Sequence, residues 1–191
     1  LLVNANKDTF YDIYILHSAK ENLCTKELDR LRECHTNFRI QYRPVGNIFD
    51  KAYEIRGITT PAYYRLLIPE LIPEYDKIIY SDVDVIFRED LQEFYQTDLK
   101  DNYLGAVDVG IAFRPKIRQY VEYTLKLAPA KGYFYSGNLI FNAALIRQDR
   151  LVEKFKELAK DKYTYQDMDV LNIACNGRIK ALSPAFCLSN Y

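Results

Sequence analysis

Short apolar runs alternate with stretches of helical periodicity along the chain, and one run stands out. Ile78, Ile79 and Tyr80 form a β-branched and aromatic run, which is typical of a strand in the middle of a parallel sheet that is covered on both faces. Asp82 and Asp84 follow it directly. Charged groups are costly to bury without a partner, and ligands of open α/β sheets bind outside the carboxyl ends of strands. We therefore expect a positively charged group between these two acids.

Further elements follow from the same patterns. Strands are predicted at 12–17, 36–43, 103–107, within 133–142, and at 179–182. Helices are predicted at 21–34, 60–69, 91–95, 116–127, 150–160 and from Asp167, as the cap, to Gly177. Because strands alternate with helices, the sequence predicts an α/β domain with a mostly parallel sheet flanked by helices.

Composition narrows the class of protein. The chain has 191 residues, which fits one domain over 1–191, and 49% of them are apolar. Lys plus Arg and Asp plus Glu both total 26, so the chain lacks the basic excess that binding to nucleic acid requires. No apolar run approaches the roughly 20 residues of a membrane span.

The four cysteines show no CxxC pairing. We interpret them as reduced, half-buried thiols of a cytosolic protein. A Cys24–Cys34 disulfide is the minor alternative.

The acid pair permits three interpretations. The first is two solvated loop acids. The second is a phosphatase of the Asp-x-Asp type, which is weakened because Val85-Ile86 follows the second acid and the motif lies mid-chain. The third is a divalent cation held by oxygen ligands. No P-loop, GxGxxG, HExxH or GxSxG motif is present, and His17 and His35 are the only histidines, so a His-based triad is poorly supported.

Four blocks, in order along nearly the whole chain, resemble glycosyltransferase family 8. The blocks are Leu71–Ile86, Leu104–Asp108, Tyr133–Asn142 and Gln166–Asn172. The resemblance implies a GT-A nucleotide-diphospho-sugar transferase fold with a Rossmann-like sheet. It also implies a retaining hexosyltransferase that moves a sugar from a UDP-sugar to a glycan or to a lipopolysaccharide-type acceptor.

The resemblance assigns roles to the metal and nucleotide end of the site. It places Asp82 and Asp84 on a Mn²⁺ or Mg²⁺ ion that bridges the diphosphate, and the backbone of Val83 near the ribose. Arg65 matches a family arginine that reaches the donor, and a guanidinium can hold a phosphate or a sugar hydroxyl with paired donors. The alternative for Arg65 is an exposed helix residue.

The resemblance also assigns roles to residues at the sugar end of the site. Asp108 matches a position beside the sugar or acceptor hydroxyls, and Asp167 matches an acid that contacts the transferred sugar; these two are the candidate catalytic residues. Ser136 and Gly137 match a turn of small residues against the sugar. Packing of the strand explains a glycine at position 137 almost equally well.

Two positions depart from the family pattern. Met168 stands where the family usually has Gln, in the donor-binding part of the site, and Tyr135 replaces a frequent Asn. A thioether has no amide oxygen, so we expect front-face substitution. The leaving phosphate oxygen would help to deprotonate the acceptor, and Asp167 would stabilise the oxocarbenium charge. A catalytically weak nucleotide-sugar or carbohydrate-binding relative is the alternative.

Two family blocks are absent from these residues. An Asp-x-x-Tyr segment with the first strand and helix would precede Leu1, and a His-x-x-Gly-x-x-Lys-Pro block would follow Tyr191. We expect the sequence to be part of a longer protein, rather than a site that has lost these groups. The resemblance implies a cytoplasmic bacterial protein, with peripheral contact to the inner membrane through segments outside this chain.

Overall fold

The computed structural model describes residues 1–20 and 22–187. Its strands are β1 (Tyr11–Ser18), β2 (Phe38–Val45), β3 (Lys77–Ser81), β4 (Leu104–Asp108), β5 (Phe134–Asn142) and β6 (Ile179–Ala181). Its α-helices are α1 (Lys26–Asp29), α2 (Ile68–Leu71), α3 (Gln92–Gln96), α4 (Pro115–Gln119), α5 (Ala143–Gln148), α6 (Leu151–Leu158) and α7 (Gln166–Ala174). The longest 3-10 helix is Thr60–Leu67, and Tyr120–Thr124 is a π-helical turn. Among these residues, no helix is long and apolar enough to span a lipid bilayer.

The described strands form one two-stranded and one four-stranded sheet. β1 and β2 pair in parallel. The larger sheet has the order β3-β5-β4-β6, in which β5 is antiparallel to both β3 and β4 while β6 is parallel to β4. Hence β3, β4 and β6 run in one direction and β5 runs against them. The predicted α/β class with a central sheet flanked by helices is confirmed. The larger sheet is mixed, because β5 pairs antiparallel with both of its neighbours.

β3 lies at an edge of the four-stranded sheet, not in its middle as the apolar run predicted. Its residues are half-buried, and Ile79 pairs with Ile140 of the antiparallel β5. Ile78 and Tyr80 nevertheless contact one hydrophobic cluster while Ile79 contacts another. A short apolar run cannot distinguish a central strand from such an edge strand, because both contact apolar groups on two faces.

β5 runs through the core and contributes to both of its sides. Leu139 and Phe141 lie in the main hydrophobic cluster, to which α5, α6 and α7 also contribute residues. Ile140, between them, contacts Phe94 and Leu99 on the other side of the sheet. This alternation is the period of two of a β-strand. It gives the sheet a helical layer on each face.

Two predicted helices are divided in the structure. Residues 21–34 form only α1 and a 3-10 turn, and Glu21 lies outside the described residues. Cys24, Leu28 and Leu31 are spaced to form one apolar helix face, but Cys24 and Leu31 are exposed. Helices gain most of their stability from burying such a face, so no long helix forms here. The predicted helix at 116–127 is divided into α4 and the π-helical turn.

The predicted helix at 60–69 is a 3-10 helix followed by α2. The Thr60-Pro61 pair predicts Thr60 as the N-cap, but the N-cap is Thr59. Pro69 lies in the first turn of α2, where a missing N–H removes no helical hydrogen bond. The 3-10 helix buries Arg65 together with its aromatic and leucine neighbours, so the alternative of an exposed helix arginine is wrong.

α7 begins one residue before its predicted cap. Gln166 is its first residue, so Asp167 lies in the first turn, and Tyr165 is the N-cap without a side-chain hydrogen bond. Cys175 is the C-cap. Gly177 follows with φ of 77°, the left-handed conformation that commonly follows the end of a helix.

The cysteines are free thiols, as predicted. Cys175 is buried and Cys187 is half-buried. Cys24 and Cys34 are exposed, which differs from the half-buried state expected for all four.

Candidate functional site

Arg65 is the buried centre of the candidate site. Its Nε donates to the Ala62 carbonyl at 2.9 Å, Nη1 donates to the Ser136 carbonyl at 2.5 Å, and Nη2 donates to Asp82 Oδ1 at 2.7 Å. Nε also lies 3.1 Å from Asp167 Oδ2. Burial opposes the positive charge, but neighbouring negative groups outweigh it and raise the pKa of Arg65. One guanidinium thus connects the turn after β3 with β5 and α7.

Tyr80 completes the contacts of Asp82. Its hydroxyl donates to Asp82 Oδ1 at 2.5 Å, and its ring centroid lies 4.5 Å from Cζ of Arg65. Burial raises the pKa of Tyr80, so the hydroxyl remains a neutral donor. Tyr80 was not among the predicted site residues. The two-residue spacing from Asp82, which places both side chains on one side of the strand, was the signal that could have identified it.

Gly137 makes room for the Asp82 carboxylate. The Asp82 amide donates to the Gly137 carbonyl at 2.8 Å, which holds the end of β3 against β5. A Cβ on Gly137 would lie 2.9 Å from Asp82 Oδ2, closer than side chains tolerate. The absent side chain is therefore required by the neighbouring carboxylate.

Asp167 adds a second, deeply buried carboxylate beside Arg65. Burial raises the pKa of Asp167, and the negative charge of Asp82 raises it further. The charge of Arg65 and a hydrogen bond from Ser136 favour the ionised form but do not outweigh burial. Asp167 Oδ2 accepts no hydrogen bond from the described residues. Its contact with Arg65 Nε is a charge–charge contact, because that N–H is directed to the Ala62 carbonyl.

Asn172 fixes α7 against β5. Its side-chain amide donates to the Phe134 carbonyl at 2.9 Å, and its Oδ1 accepts from the Phe134 amide at 2.8 Å. Both groups are buried, where such paired hydrogen bonds leave no polar group unsatisfied. This connection sets the distance from Asp167, on α7, to Ser136, on β5.

Asp169 was not assigned a role from the sequence, although it lies in the fourth block. It is fully buried and accepts hydrogen bonds from the hydroxyls of Tyr133 and Tyr120 and from the Tyr165 amide. Burial raises the pKa of Asp169 against these donors. The carboxylate thus joins the π-helical turn, the start of β5 and the start of α7, which carries Asp167.

The turn after Asp82 faces solvent. Val83 and Asp84 are exposed, and the Val85 amide donates to the Asp82 carbonyl at 3.3 Å. The Asp84 carboxylate makes no hydrogen bond or ion pair with any described residue. Two carboxylate oxygens in one turn, Asp82 Oδ2 and that of Asp84, are thus available to a ligand.

These oxygens fit a small hard cation. Magnesium-type ions are commonly held by one or two carboxylates together with substrate phosphates. Asp82 and Asp84 supply this donor set. In the described part of the chain, no group of three potential metal-ligating side chains forms, so the remaining ligands would come from outside these residues.

The model of glycosyl transferase family 8 matches residues 1–191. The chain belongs to glycosyltransferase family 8. Two curated relatives of this chain are a stress protein and a glucosyltransferase. General stress protein A of Bacillus subtilis is 26% identical over the whole chain and 67% of that protein. Lipopolysaccharide 1,2-glucosyltransferase of Escherichia coli is 32% identical over 58% of this chain and 34% of that protein. The chain thus spans about a third to two thirds of the length of these relatives.

A solved structure confirms the fold. The galactosyltransferase LgtC, in complex with donor and acceptor sugar analogues, superposes with a TM-score of 0.70 at 23% sequence identity. The likeness covers 94% of this chain and 79% of LgtC. The GT-A fold expected from the four blocks is therefore present.

Asp108 lies at the end of β4 with both carboxylate oxygens engaged locally. Its Oδ1 accepts from the Gly110 amide at 2.5 Å, and its Oδ2 accepts from the Tyr133 amide at 3.3 Å. These bonds hold the loop after β4 against the start of β5. Among the contacts of the described residues, none joins Asp108 to the Arg65 cluster.

Met168 and Tyr135, the two departures from the family pattern, both contact the same hydrophobic cluster. The buried part of this cluster includes Val109, Val121 and Tyr133. A thioether beside these apolar groups needs no polar partner. The substitution therefore suits its surroundings.

Two open polar cavities, each of about 490 Å³, lie near Asn6 and Gln92. None of the predicted site residues lines either of them. They lie apart from the cluster around Arg65.

Proposed function

We propose that this domain is a metal-dependent retaining hexosyltransferase that moves a sugar from a UDP-sugar to a glycan or lipopolysaccharide-type acceptor. The observation that supports it best is the pair of available carboxylates, Asp82 Oδ2 and Asp84, beside the buried Arg65–Asp167 contact. Family membership and the glucosyltransferase among the relatives support the same reaction class. These substrates would place it on the cytoplasmic side of a bacterial inner membrane.

Asp82 and Asp84 would hold Mn²⁺ or Mg²⁺ between them and the donor diphosphate. When bound, such an ion supplies Lewis-acid stabilisation of the charge that develops on the leaving UDP. The exposed backbone at Val83 would face the ribose. Gly137 keeps space for the Asp82 carboxylate, which lets it reach the ligand without displacing β5.

Arg65 and Asp167 would form the floor beneath the donor sugar, with Ser136 between them. Asp167 would be the carboxylate nearest to oxocarbenium charge. Met168 offers no oxygen to the anomeric carbon, so retention would proceed by front-face substitution, and the leaving phosphate oxygen would take the acceptor proton. Asp108 would shape the acceptor side through the loop that it holds.

Hydrolysis and transfer assays test this proposal. The full-length protein is incubated with UDP-glucose and with UDP-galactose, with and without Mn²⁺, and released UDP is measured. We expect turnover that requires the metal and is lost in Asp84→Asn. Absence of both turnover and binding for every nucleotide-sugar tested would contradict the proposal.

A second candidate function is nucleotide-sugar binding without transfer. The apolar surroundings of Met168 and the local engagement of Asp108 favour it. Calorimetry would distinguish the two functions. UDP binding together with no transfer to any acceptor would favour the binding protein over the enzyme.

A further inference from the structure

Two donors hold one oxygen of Asp82 and leave the other oxygen unbonded. Oδ1 accepts from the Tyr80 hydroxyl at 2.5 Å and from Arg65 Nη2 at 2.7 Å. Oδ2 accepts no hydrogen bond from the described residues and faces the position where Gly137 lacks a Cβ. Rotation of the carboxylate would break both bonds to Oδ1, so its orientation is fixed.

We propose that Tyr80 is a positioning residue of this site, which engages Oδ1 of Asp82 and thereby presents Oδ2 as the metal-ligating oxygen. The proposal rests on the proposed function, since it takes Asp82 to be a metal ligand. Tyr80 itself contacts neither the metal nor the donor. Groups that orient metal ligands in this way commonly change metal affinity by about 10- to 100-fold when they are removed.

Hydroxyl and ring of Tyr80 have separable roles. The ring lies against the Arg65 guanidinium, which carries one of the two bonds to Asp82. Tyr80→Phe keeps this ring contact and removes only the hydroxyl. Asp82 then keeps the Arg65 bond but gains freedom to rotate, so its oxygen is less often placed for the ligand.

The chain contains a matched control for this substitution. Tyr103 donates its hydroxyl to Asp149 Oδ2 at 2.6 Å, and Cζ of Arg178 lies 4.0 Å from its ring centroid. The Arg178–Asp149 pair closes the same triangle at 3.3 Å. As at Asp82, a tyrosine hydroxyl and an arginine both donate to one carboxylate oxygen, and Arg178 Nη1 also donates to the Tyr103 hydroxyl at 2.5 Å. This group contains none of the site residues.

Tyr80→Phe and Tyr103→Phe are therefore compared with the parent protein. Mn²⁺ affinity in the presence of UDP is measured from the electron paramagnetic resonance signal of free Mn²⁺. Thermal unfolding is recorded without metal, and kcat is measured over a series of Mn²⁺ concentrations. We expect Tyr80→Phe to weaken Mn²⁺ binding by about 10- to 100-fold, to need correspondingly more Mn²⁺ for half-maximal rate, and to keep kcat near the parent value at saturating Mn²⁺. Tyr103→Phe should bind Mn²⁺ as the parent does.

Each other outcome overturns the proposal in a distinguishable way. Equal Mn²⁺ affinity in parent and Tyr80→Phe would remove the positioning role and leave the proposed function intact. A parent protein without Mn²⁺ affinity would overturn both. Metal-free unfolding of Tyr80→Phe far below that of Tyr103→Phe would show that Tyr80 is needed for the fold instead.

Discussion

Arg65 and Asp167 form a buried ion pair, with Nε 3.1 Å from Oδ2 and side chains that are 6% and 7% exposed. They lie on elements far apart in sequence, a 3-10 helix and α7. A buried charge is tolerated where an opposite charge and further hydrogen bonds compensate it. Arg65 supplies the opposite charge to Asp167, and Ser136 supplies a hydrogen bond. This relationship joins the metal end of the candidate site to its sugar end.

Arg65→Lys should damage both fold and function, although it keeps the charge. A lysine ammonium has no planar fork and cannot reach Ala62, Ser136 and Asp82 together. We expect a loss of about 1.5–3 kcal/mol in the free energy of unfolding, since hydrogen bonds to charged groups are lost. Urea denaturation measures it. Arg30→Lys is the control, since that exposed arginine pairs with Glu27 and with no other residue that the structure describes; an equal effect of both changes would contradict the expected role.

Asp84→Asn should impair metal-dependent turnover without changing the stability of the fold. The side chain is exposed and makes no hydrogen bond or ion pair with the described residues, so the free energy of unfolding should change by less than about 0.5 kcal/mol. Metal-dependent turnover should fall by at least about 100-fold, or ~2.7 kcal/mol, because half of the carboxylate pair is lost. UDP release and urea denaturation are measured in parallel. Retained metal-dependent turnover would remove Asp84 from the metal site.

Gly137→Ala should act on Asp82 and not on the fold as a whole. The new Cβ would lie 2.9 Å from Asp82 Oδ2, so the carboxylate must move, and Mn²⁺ affinity should fall by about 10-fold. Gly46→Ala is the control, because a Cβ there meets no atom within 4 Å. Titration calorimetry with Mn²⁺ and UDP measures the difference, and equal affinities in the two variants would refute the steric argument.

Asp169→Ala should destabilise the fold strongly. It leaves three donors without their acceptor, two tyrosine hydroxyls and the Tyr165 amide. Each buried donor without a partner costs about 1–3 kcal/mol, so we expect a total loss of at least about 3 kcal/mol in urea denaturation. Asp161→Ala removes an exposed acceptor from Tyr163 and should change the stability little. A loss no larger than this control would count against the role of Asp169.

Acid should weaken the protein through Asp12 on β1. Its hydrogen bond with Arg39 lowers the pKa of Asp12 below the ordinary 3.8, against burial and with help from Tyr75 and Gln41. A carboxyl group whose pKa is lowered by folding stabilises the folded protein at pH values above 3.8. This stabilisation is lost as the pH falls below 3.8 toward the folded-state pKa. Unfolding free energies measured between pH 6 and about 2 should therefore drop more steeply for the parent than for Asp12→Asn. Parallel curves would exclude Asp12 as a cause.

The sequence alone located each of the six strands in the described part of the chain, and the four blocks of the family. The strand predictions succeeded because a strand is encoded by residues that are adjacent in sequence, as in Ile78–Tyr80. Motif residues such as Asp82 and Gly137 lie directly after or within such strands. The α/β class and the GT-A fold followed from the same local information. The division of the predicted helix at 21–34 could not be predicted in this way, because the burial of Leu31 depends on which residues pack against it.

Only the tertiary structure showed which side chains meet. The contacts of Arg65 with Asp82 and Asp167, and of Asp169 with its tyrosines, span separations of 17 to 102 residues along the chain, so no local pattern encodes them. The edge position of β3 likewise depends on pairing with residues of β5 that lie 57 to 65 positions later. Periodicity reports the faces of one segment at a time, whereas a site is formed by the packing of several segments.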